Sequence, residues 1–527
     1  MEKPLVVVAE AISDAGLDVL RPHCGLDVAV GADRADLLGR LGAAAGLIVR
    51  SATKVDAELI AAAPRLQVIG RAGIGVDNID LDAATRAGVL VVNAPEANTI
   101  SAAELTMALL LAQARRVPEA DASLRGGAWE RARFKGVELH GKVLGVLGLG
   151  RIGTLVAQRA SAFGMRIVAF DPYVSEDRAR RIGVELGDLD AVLQAADFVT
   201  IHLPRTRETE GLIDAEALRR MKRGVRIVNV ARGGIVDEVA LVEAIEEGHV
   251  AGAAVDVFAV EPATDSPLLA LPQVVVTPHL GASTHEAQDK AGLAVAEAVA
   301  AALSGDLVLS AVNLDLGPGA SDEIRPFLPL AEHLGKIFVV FARGLPETLD
   351  VRVAGRVAGG SIKPIALGAL KGALSKVTDE PVSYVNAPML AEKRGMTVRE
   401  TSLADGGDYA TVLTISGVVG DVHRVIAGTV MERKGLVLLE IDGYEIEVPI
   451  TDHMLLVRND DVPGVIGRVG TVLGDAGVNI ANMVVGRQKA GDAMMMALSI
   501  DGTIPQEIVD ELLATPNVLA ARFIDLS

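Results

Sequence analysis

Gly148-Leu149-Gly150-Arg151-Ile152-Gly153 lies between the apolar run KVLGVL and a stretch with helical spacing. In that setting the first glycine allows a tight turn, the second lets a pyrophosphate approach the backbone, and the third permits close helix–strand packing. The helix start adds free N–H groups and the positive end of its dipole. Asp171 closes the next strand-like run, eighteen residues after Gly153. An acid there accepts both ribose hydroxyls and repels a 2′-phosphate, which favours NAD over NADP. Hydride chemistry then needs a group to take a hydroxyl proton, a carboxylate to tune that group and a cation for the substrate's own carboxylate. Of nine histidines, His202 and His279 stand at the carboxyl ends of strand-like runs, where ligand crevices form. Arg232, after VRIVNVA, is similarly placed, and either Asp256 or Glu261 is available as the partner acid. Spacing alone does not choose between them.

The elements around these residues read as α/β. Runs at 4–10, 46–52, 66–73 and 89–95, then at 142–150, 165–171, 198–204, 225–231, 251–257 and 274–280, are apolar, β-branched and closed by turn residues. Helical stretches separate them, which implies two doubly wound parallel-sheet (Rossmann-type) domains covered on both faces. Ser101 to Glu104 has the spacing of a capping box ahead of a long apolar helix. A helix over 286–303 is expected to return to the first module, making that domain discontinuous: 1–98 with 284–314 around a dinucleotide domain of 99–283. After the turn-rich junction LGPGASD at 316–322, residues 317–452 suggest an α+β domain with strands at 347–354, 410–417, 423–430 and 436–448. Residues 453–527 follow a βαββαβ plan.

Composition bounds the function. At 527 residues and half apolar, the chain can build three or four cores, yet aromatics make up only 3%. A net charge of −19 argues against general binding to nucleic acid or anionic membranes. The lone Cys24 cannot form an internal disulfide, and the N-terminus lacks a signal-peptide layout, so a cytoplasmic protein without metal is expected.

LGLGRIG (147–153), NVARGGIVDE (229–238), AAVDVFAVEP (253–262) and TPHLGAST (277–284) resemble the signatures of the D-isomer-specific 2-hydroxyacid dehydrogenases. RSATKV (50–55), GRAGIGVDN (70–78) and the C-terminal extension narrow the resemblance to that family's long-form branch, which carries an intervening and an ACT domain. What the resemblance implies is NAD-dependent oxidation of 3-phospho-D-glycerate, the opening of serine synthesis. Arg232, Glu261 and His279 take the catalytic positions, with His279 accepting the proton, Glu261 orienting it and stabilising the imidazolium, and Arg232 holding the substrate. His202 is thereby demoted to strand-end packing or a cofactor edge contact. Cofactor contacts fall on Gly148, Gly150, Arg151, Ile152, Gly153, Asp171, Val230, Ala231, Arg232, Asp256, His279, Leu280, Gly281 and Ala282, with Asp256 receiving the nicotinamide carboxamide. Substrate contacts fall on Arg50, Ser51, Arg71 and Gly73. A family threonine is Ile74 here, leaving only its backbone for that contact. Arg131, Arg133 and Lys135 form a basic stretch that the resemblance brings near a substrate site, its own or a neighbour's; the alternative is a solvated loop.

The same resemblance gives the terminal domain an amino-acid effector, L-serine, held by Asp461 and Asn479, and makes the enzyme a homo-oligomer, a tetramer. Asn459 replaces a tyrosine many relatives carry. Two other readings are a dehydrogenase of another D-2-hydroxyacid, such as glycerate, and a NAD(H)-sensing scaffold.

Overall fold

In the computed structural model, which describes residues 3–308, 310–317, 322–378, 380–488 and 493–526, the strand Leu5–Val8 sends Val7 into one hydrophobic layer and Val6 and Val8 into the other. A β-branched run buried on both faces belongs inside a parallel sheet covered by helices. Its companions Gly25–Val28, Ala44–Val49, Val68–Arg71 and Leu90–Asn93 complete a five-stranded parallel sheet in the order 2-1-3-4-5. Gly25–Val28 is not visible as a strand in the sequence, because this half-exposed edge segment lacks an apolar run.

Val143–Leu147, Arg166–Phe170, Glu185–Leu186, Phe198–Ile201, Val225–Asn229, Val250–Val255 and Val274–Val276 make a second parallel sheet, of seven strands, ordered 3-2-1-4-5-6-7. The order reverses between Val143–Leu147 and Phe198–Ile201, so the chain leaves these neighbours in opposite directions and opens a crevice at their carboxyl ends. The glycine turn starts there.

Helix Thr99–Arg115 lies between the two sheets in sequence, and here the expected capping box is not formed. Asn98 precedes the helix, Ser101 lies within its first turn, and the Ser101 hydroxyl instead donates to the Gly281 carbonyl at 2.9 Å. That bond ties the helix start to the other crossing between the modules. Helix His285–Leu303 returns to the first sheet, where a Cβ on Gly70 would sit 2.6 Å from Val295 Cγ1. Asn313 then pins the sheet edge, accepting from Val91 N at 2.8 Å and donating to Val89 O at 2.9 Å.

The next unit is a six-stranded mixed sheet with helices Phe327–Ala342 and Lys363–Ser375 in its core. The single strand expected over 436–448 is two, Gly435–Ile441 and Tyr444–Pro449, joined at Asp442-Gly443 with φ of 48° and 82°. Two central residues with positive φ match the twist of a hairpin, and the apolar residues on both sides hid the turn. Strand Thr397–Leu403 was missed because it is polar and largely exposed. Residues 318–321 of the proposed junction lie outside the described residues.

The last unit has four antiparallel strands ordered 2-3-1-4, the βαββαβ plan. Leu455 and Val457 pack with its own helices, Val465–Asp475 and Gln506–Ala514, whereas Met454 and Leu456 join the core of the preceding unit. Period-two alternation therefore joins the two domains through one sheet. Among the described residues no helix is long and apolar enough to cross a membrane.

Candidate active site

Each glycine of the turn has a distinct local reason. Gly148 has φ of 94°, and a Cβ there would lie 2.6 Å from the His202 carbonyl oxygen. A Cβ on Gly153 would lie 2.0 Å from the Gly148 carbonyl oxygen. Gly150 differs: it is the N-cap of helix Arg151–Ala162, and a Cβ there would meet nothing within 4 Å. Its missing side chain serves space outside the protein, where a diphosphate fits against the helix start. Asp171 accepts from Leu149 N at 2.8 Å and from Tyr173 N at 2.9 Å, so it braces the turn while both oxygens keep lone pairs for a ribose diol. Arg151 pairs with Glu96 of the first module at 2.7 Å. These residues fit a dinucleotide with an unmodified 2′-hydroxyl. Val230 and Gly281 are buried, which leaves their backbones as the contacting groups.

A cleft of about 820 Å³ separates the two sheets, with Arg50, Ser51, Arg71, Glu261, His279 and Ala282 in its wall. His279 Nδ1 is 2.8 Å from Glu261 Oε2, and Glu261 Oε1 accepts from Phe258 N at 3.0 Å. Held by two hydrogen bonds, Glu261 fixes the Nδ1–H tautomer and leaves Nε2 as the open nitrogen of the ring. His279 itself has φ of 55°, a left-handed conformation costly for a residue with a side chain. Its N–H donates to the Asp256 carbonyl at 2.8 Å.

Asp256, expected as a cofactor contact, lies behind the turn that carries His279. It is wholly buried, and its carboxylate accepts from Thr277 Oγ1 at 2.5 Å, Leu280 N at 2.7 Å and Gly281 N at 3.0 Å. With both oxygens engaged behind the 277–281 turn, it holds His279 in place. Asp256→Asn would set an amide N–H against at least one of those donors, costing about 1–3 kcal/mol for the unpaired group. A lower Tm together with lower kcat in one variant would report this, and an unchanged Tm would refute it.

Arg232 reaches the first module, with Nε 3.4 Å from Asp77 Oδ2. A Cβ on Gly233 would lie 1.8 Å from the Phe258 carbonyl oxygen, so the segments carrying Arg232 and Glu261 are in direct contact. Arg71 is mostly buried, its Nε has no partner, and burial followed by the nearby Arg232 charge lowers its pKa. Burying one cation beside another is costly unless an anion offsets the charge. Gly73 clears space for that guanidinium: a Cβ there would lie within 1.6 Å of Arg71 Nη1. Gly73 thus acts as a spacer, and the Ile74 carbonyl accepts from Asn93 Nδ2 at 2.6 Å.

His202 is absent from the wall of the cleft that holds His279. Burial pushes its pKa down to about 3, and its Nε2 lies 3.0 Å from Thr200 Oγ1. Arg131, Arg133 and Lys135 are exposed and absent from the cleft wall of their own chain; Arg133 pairs with Glu130 at 2.9 Å. In the terminal domain Asp461 pairs with Arg487 at 3.1 Å and Asn479 donates to Asp501 at 2.6 Å, and no hydrogen bond joins the two. Asn459 is buried, with Oδ1 unpartnered. The sequence reading missed Glu238, whose carboxylate accepts from Ala259 N at 2.6 Å and Ser266 Oγ at 3.3 Å to anchor the loop that carries Glu261. Its place just past an Asp N-cap was the available signal.

Residues 107–281 match the model of the D-isomer specific 2-hydroxyacid dehydrogenase NAD-binding domain. The crystal structure of the TT0316 protein from Thermus thermophilus is 39% identical with a TM-score of 0.54, covering 58% of this chain and 99% of its own. That of D-lactate dehydrogenase from Aquifex aeolicus, complexed with NAD and lactic acid, is 29% identical with a TM-score of 0.52, covering 57% and 96%. Fold and site thus define a D-2-hydroxyacid dehydrogenase. Residues 323–442 match the D-3-phosphoglycerate dehydrogenase intervening domain and 453–517 the ACT domain. D-3-phosphoglycerate dehydrogenases of Mycobacterium leprae and Methanocaldococcus jannaschii are 45% and 42% identical, the first over 100% of both chains and the second over 99% of each. The chain belongs to the D-3-phosphoglycerate dehydrogenase family.

Proposed function

We propose that the protein oxidises 3-phospho-D-glycerate to 3-phosphooxypyruvate with NAD, the first step of serine biosynthesis. NAD, when bound at the Gly148–Gly153 turn and Asp171, supplies the hydride acceptor. His279 Nε2 takes the hydroxyl proton as the C2 hydrogen leaves with its electron pair, so the alcohol becomes a ketone and no other reactant is needed. Glu261 keeps the ring oriented and balances the imidazolium. Arg232 forks onto the C1 carboxylate and the C2 oxygen, and Arg71 with Arg50 receives the phosphate. The domain units are those read from the sequence, 1–98 with 284–314, 99–283, 317–452 and 453–527. The first two close over the substrate about residues 97–100 and 281–285, excluding water.

The observation that carries this reading is the His279–Glu261 pair in a cleft whose far wall holds the desolvated Arg71. In steady-state assays with NAD, kcat/KM for 3-phosphoglycerate should exceed that for D-glycerate by at least about 100-fold, since loss of a charge-assisted contact costs about 1.5–3 kcal/mol and at least two are lost. Equal values would instead favour a dehydrogenase of an unphosphorylated hydroxyacid.

The ACT domain supports control by a small ligand. L-serine is the proposed effector, bound where paired terminal domains of a homotetramer meet, with Asp461 accepting from its ammonium and Asn479 donating to its carboxylate. Saturating serine should depress turnover, and flat activity would leave the domain an oligomerising one. A reducing cytoplasm suits the single, free Cys24.

A further inference from the structure

Glu10 lies two residues past the first strand, outside every motif, yet it makes three hydrogen bonds to one short segment of the cleft wall. Its Oε1 accepts from Arg50 N and Thr53 N, both at 2.9 Å, and its Oε2 accepts from Ala52 N at 3.2 Å. The same segment's carbonyls are held from the other direction. Asn78 Nδ2 donates to Arg50 O at 2.8 Å and to Thr53 O at 2.7 Å. A four-residue turn without regular structure of its own thus has three donors taken by one carboxylate and two acceptors taken by one amide. We infer that Glu10 and Asn78 are positioning residues for substrate recognition: they fold residues 50–53 into the turn that presents Arg50 and Ser51 to the substrate's phosphate.

The physical case rests on what the turn has to do. Arg50 and Ser51 line the cleft opposite His279, and a phosphate bound there needs its donors fixed before it arrives. A loop free to sample other conformations loses affinity through the entropy of ordering on binding, whereas a pre-bonded loop does not. A carboxylate is suited to this because it accepts from several N–H groups at once, where a neutral side chain of the same length would leave donors unmet. Glu10 therefore supports the anion site through the shape of the turn, and it does so from outside the cleft wall.

This inference rests on the phosphoglycerate reading above. Its test measures the reduction of 3-phosphooxypyruvate and of hydroxypyruvate with NADH by wild type, Glu10→Gln, Glu10→Ala and Asn78→Ala. Glu10→Gln, which is isosteric but carries one acceptor oxygen, should raise KM for 3-phosphooxypyruvate about tenfold, and Glu10→Ala by more, with kcat changing less than threefold. KM for hydroxypyruvate should stay within twofold in every variant, and Asn78→Ala should repeat the pattern with a smaller rise. An unchanged KM for the phosphorylated substrate in Glu10→Ala overturns the inference. So does an equal rise for both substrates with a lowered Tm, which marks a role in folding alone. Wild type that prefers hydroxypyruvate would instead refute the functional reading itself.

Discussion

His279→Asn is expected to lower kcat by about 10²–10⁴-fold, the range supplied by a positioned acid–base group. That corresponds to about 2.7–5.4 kcal/mol of activation free energy. Asparagine is the informative replacement because His279 has φ of 55°, and asparagine enters the left-handed region more readily than other residues. The turn held by Asp256 therefore keeps its shape, and what disappears is the proton acceptor. The dissociation constant for NADH, read by fluorescence titration, should change little, which separates the chemical step from binding. His202 offers no substitute, since burial holds it neutral and its Nε2 meets Thr200. Wild-type turnover in His279→Asn would remove the imidazole from the reaction and with it the proposed mechanism.

Gly150→Ala should weaken NAD binding about 100-fold, or about 2.7 kcal/mol, without lowering Tm. The backbone there, with φ of −71° and ψ of −160°, suits any L-residue, and a Cβ meets no protein atom. The new methyl group therefore obstructs only what approaches from outside, the diphosphate. Gly153→Ala is the control with the opposite outcome. Its Cβ would lie 2.0 Å from the Gly148 carbonyl oxygen, so the helix must shift and stability falls by about 1–3 kcal/mol. Thermal unfolding and isothermal titration on the pair distinguish a glycine needed by the ligand from one needed by the fold. A Gly150→Ala enzyme with native NAD affinity would mean that the dinucleotide does not use this turn.

Local chemistry made much of the fold readable. Continuous β-branched runs announced both parallel sheets, and the glycine spacing with its distant acid announced a dinucleotide site, because turn geometry and helix-end electrostatics depend on residues close in the chain. Segments without a strong local signal were lost: the half-exposed edge Gly25–Val28, the polar Thr397–Leu403, and the turn inside 436–448. Ser101 shows the converse, a correct local pattern overruled when its hydroxyl found Gly281, 180 residues away.

Residue types and spacing determined which side chains were candidates for the chemistry, and there they stopped, leaving two histidines and two acids unresolved. The motif resemblance chose His279 and Glu261, and the tertiary structure supplies the physical difference between the candidates, because burial and partners are properties of the surroundings. Glu261 meets His279 at 2.8 Å across an eighteen-residue separation, while Asp256 turns inward to accept three donors and His202 is desolvated into neutrality. Glu10 belongs to the same class: its three hydrogen bonds span 40 residues or more, a distance over which no pattern in the chain carries information.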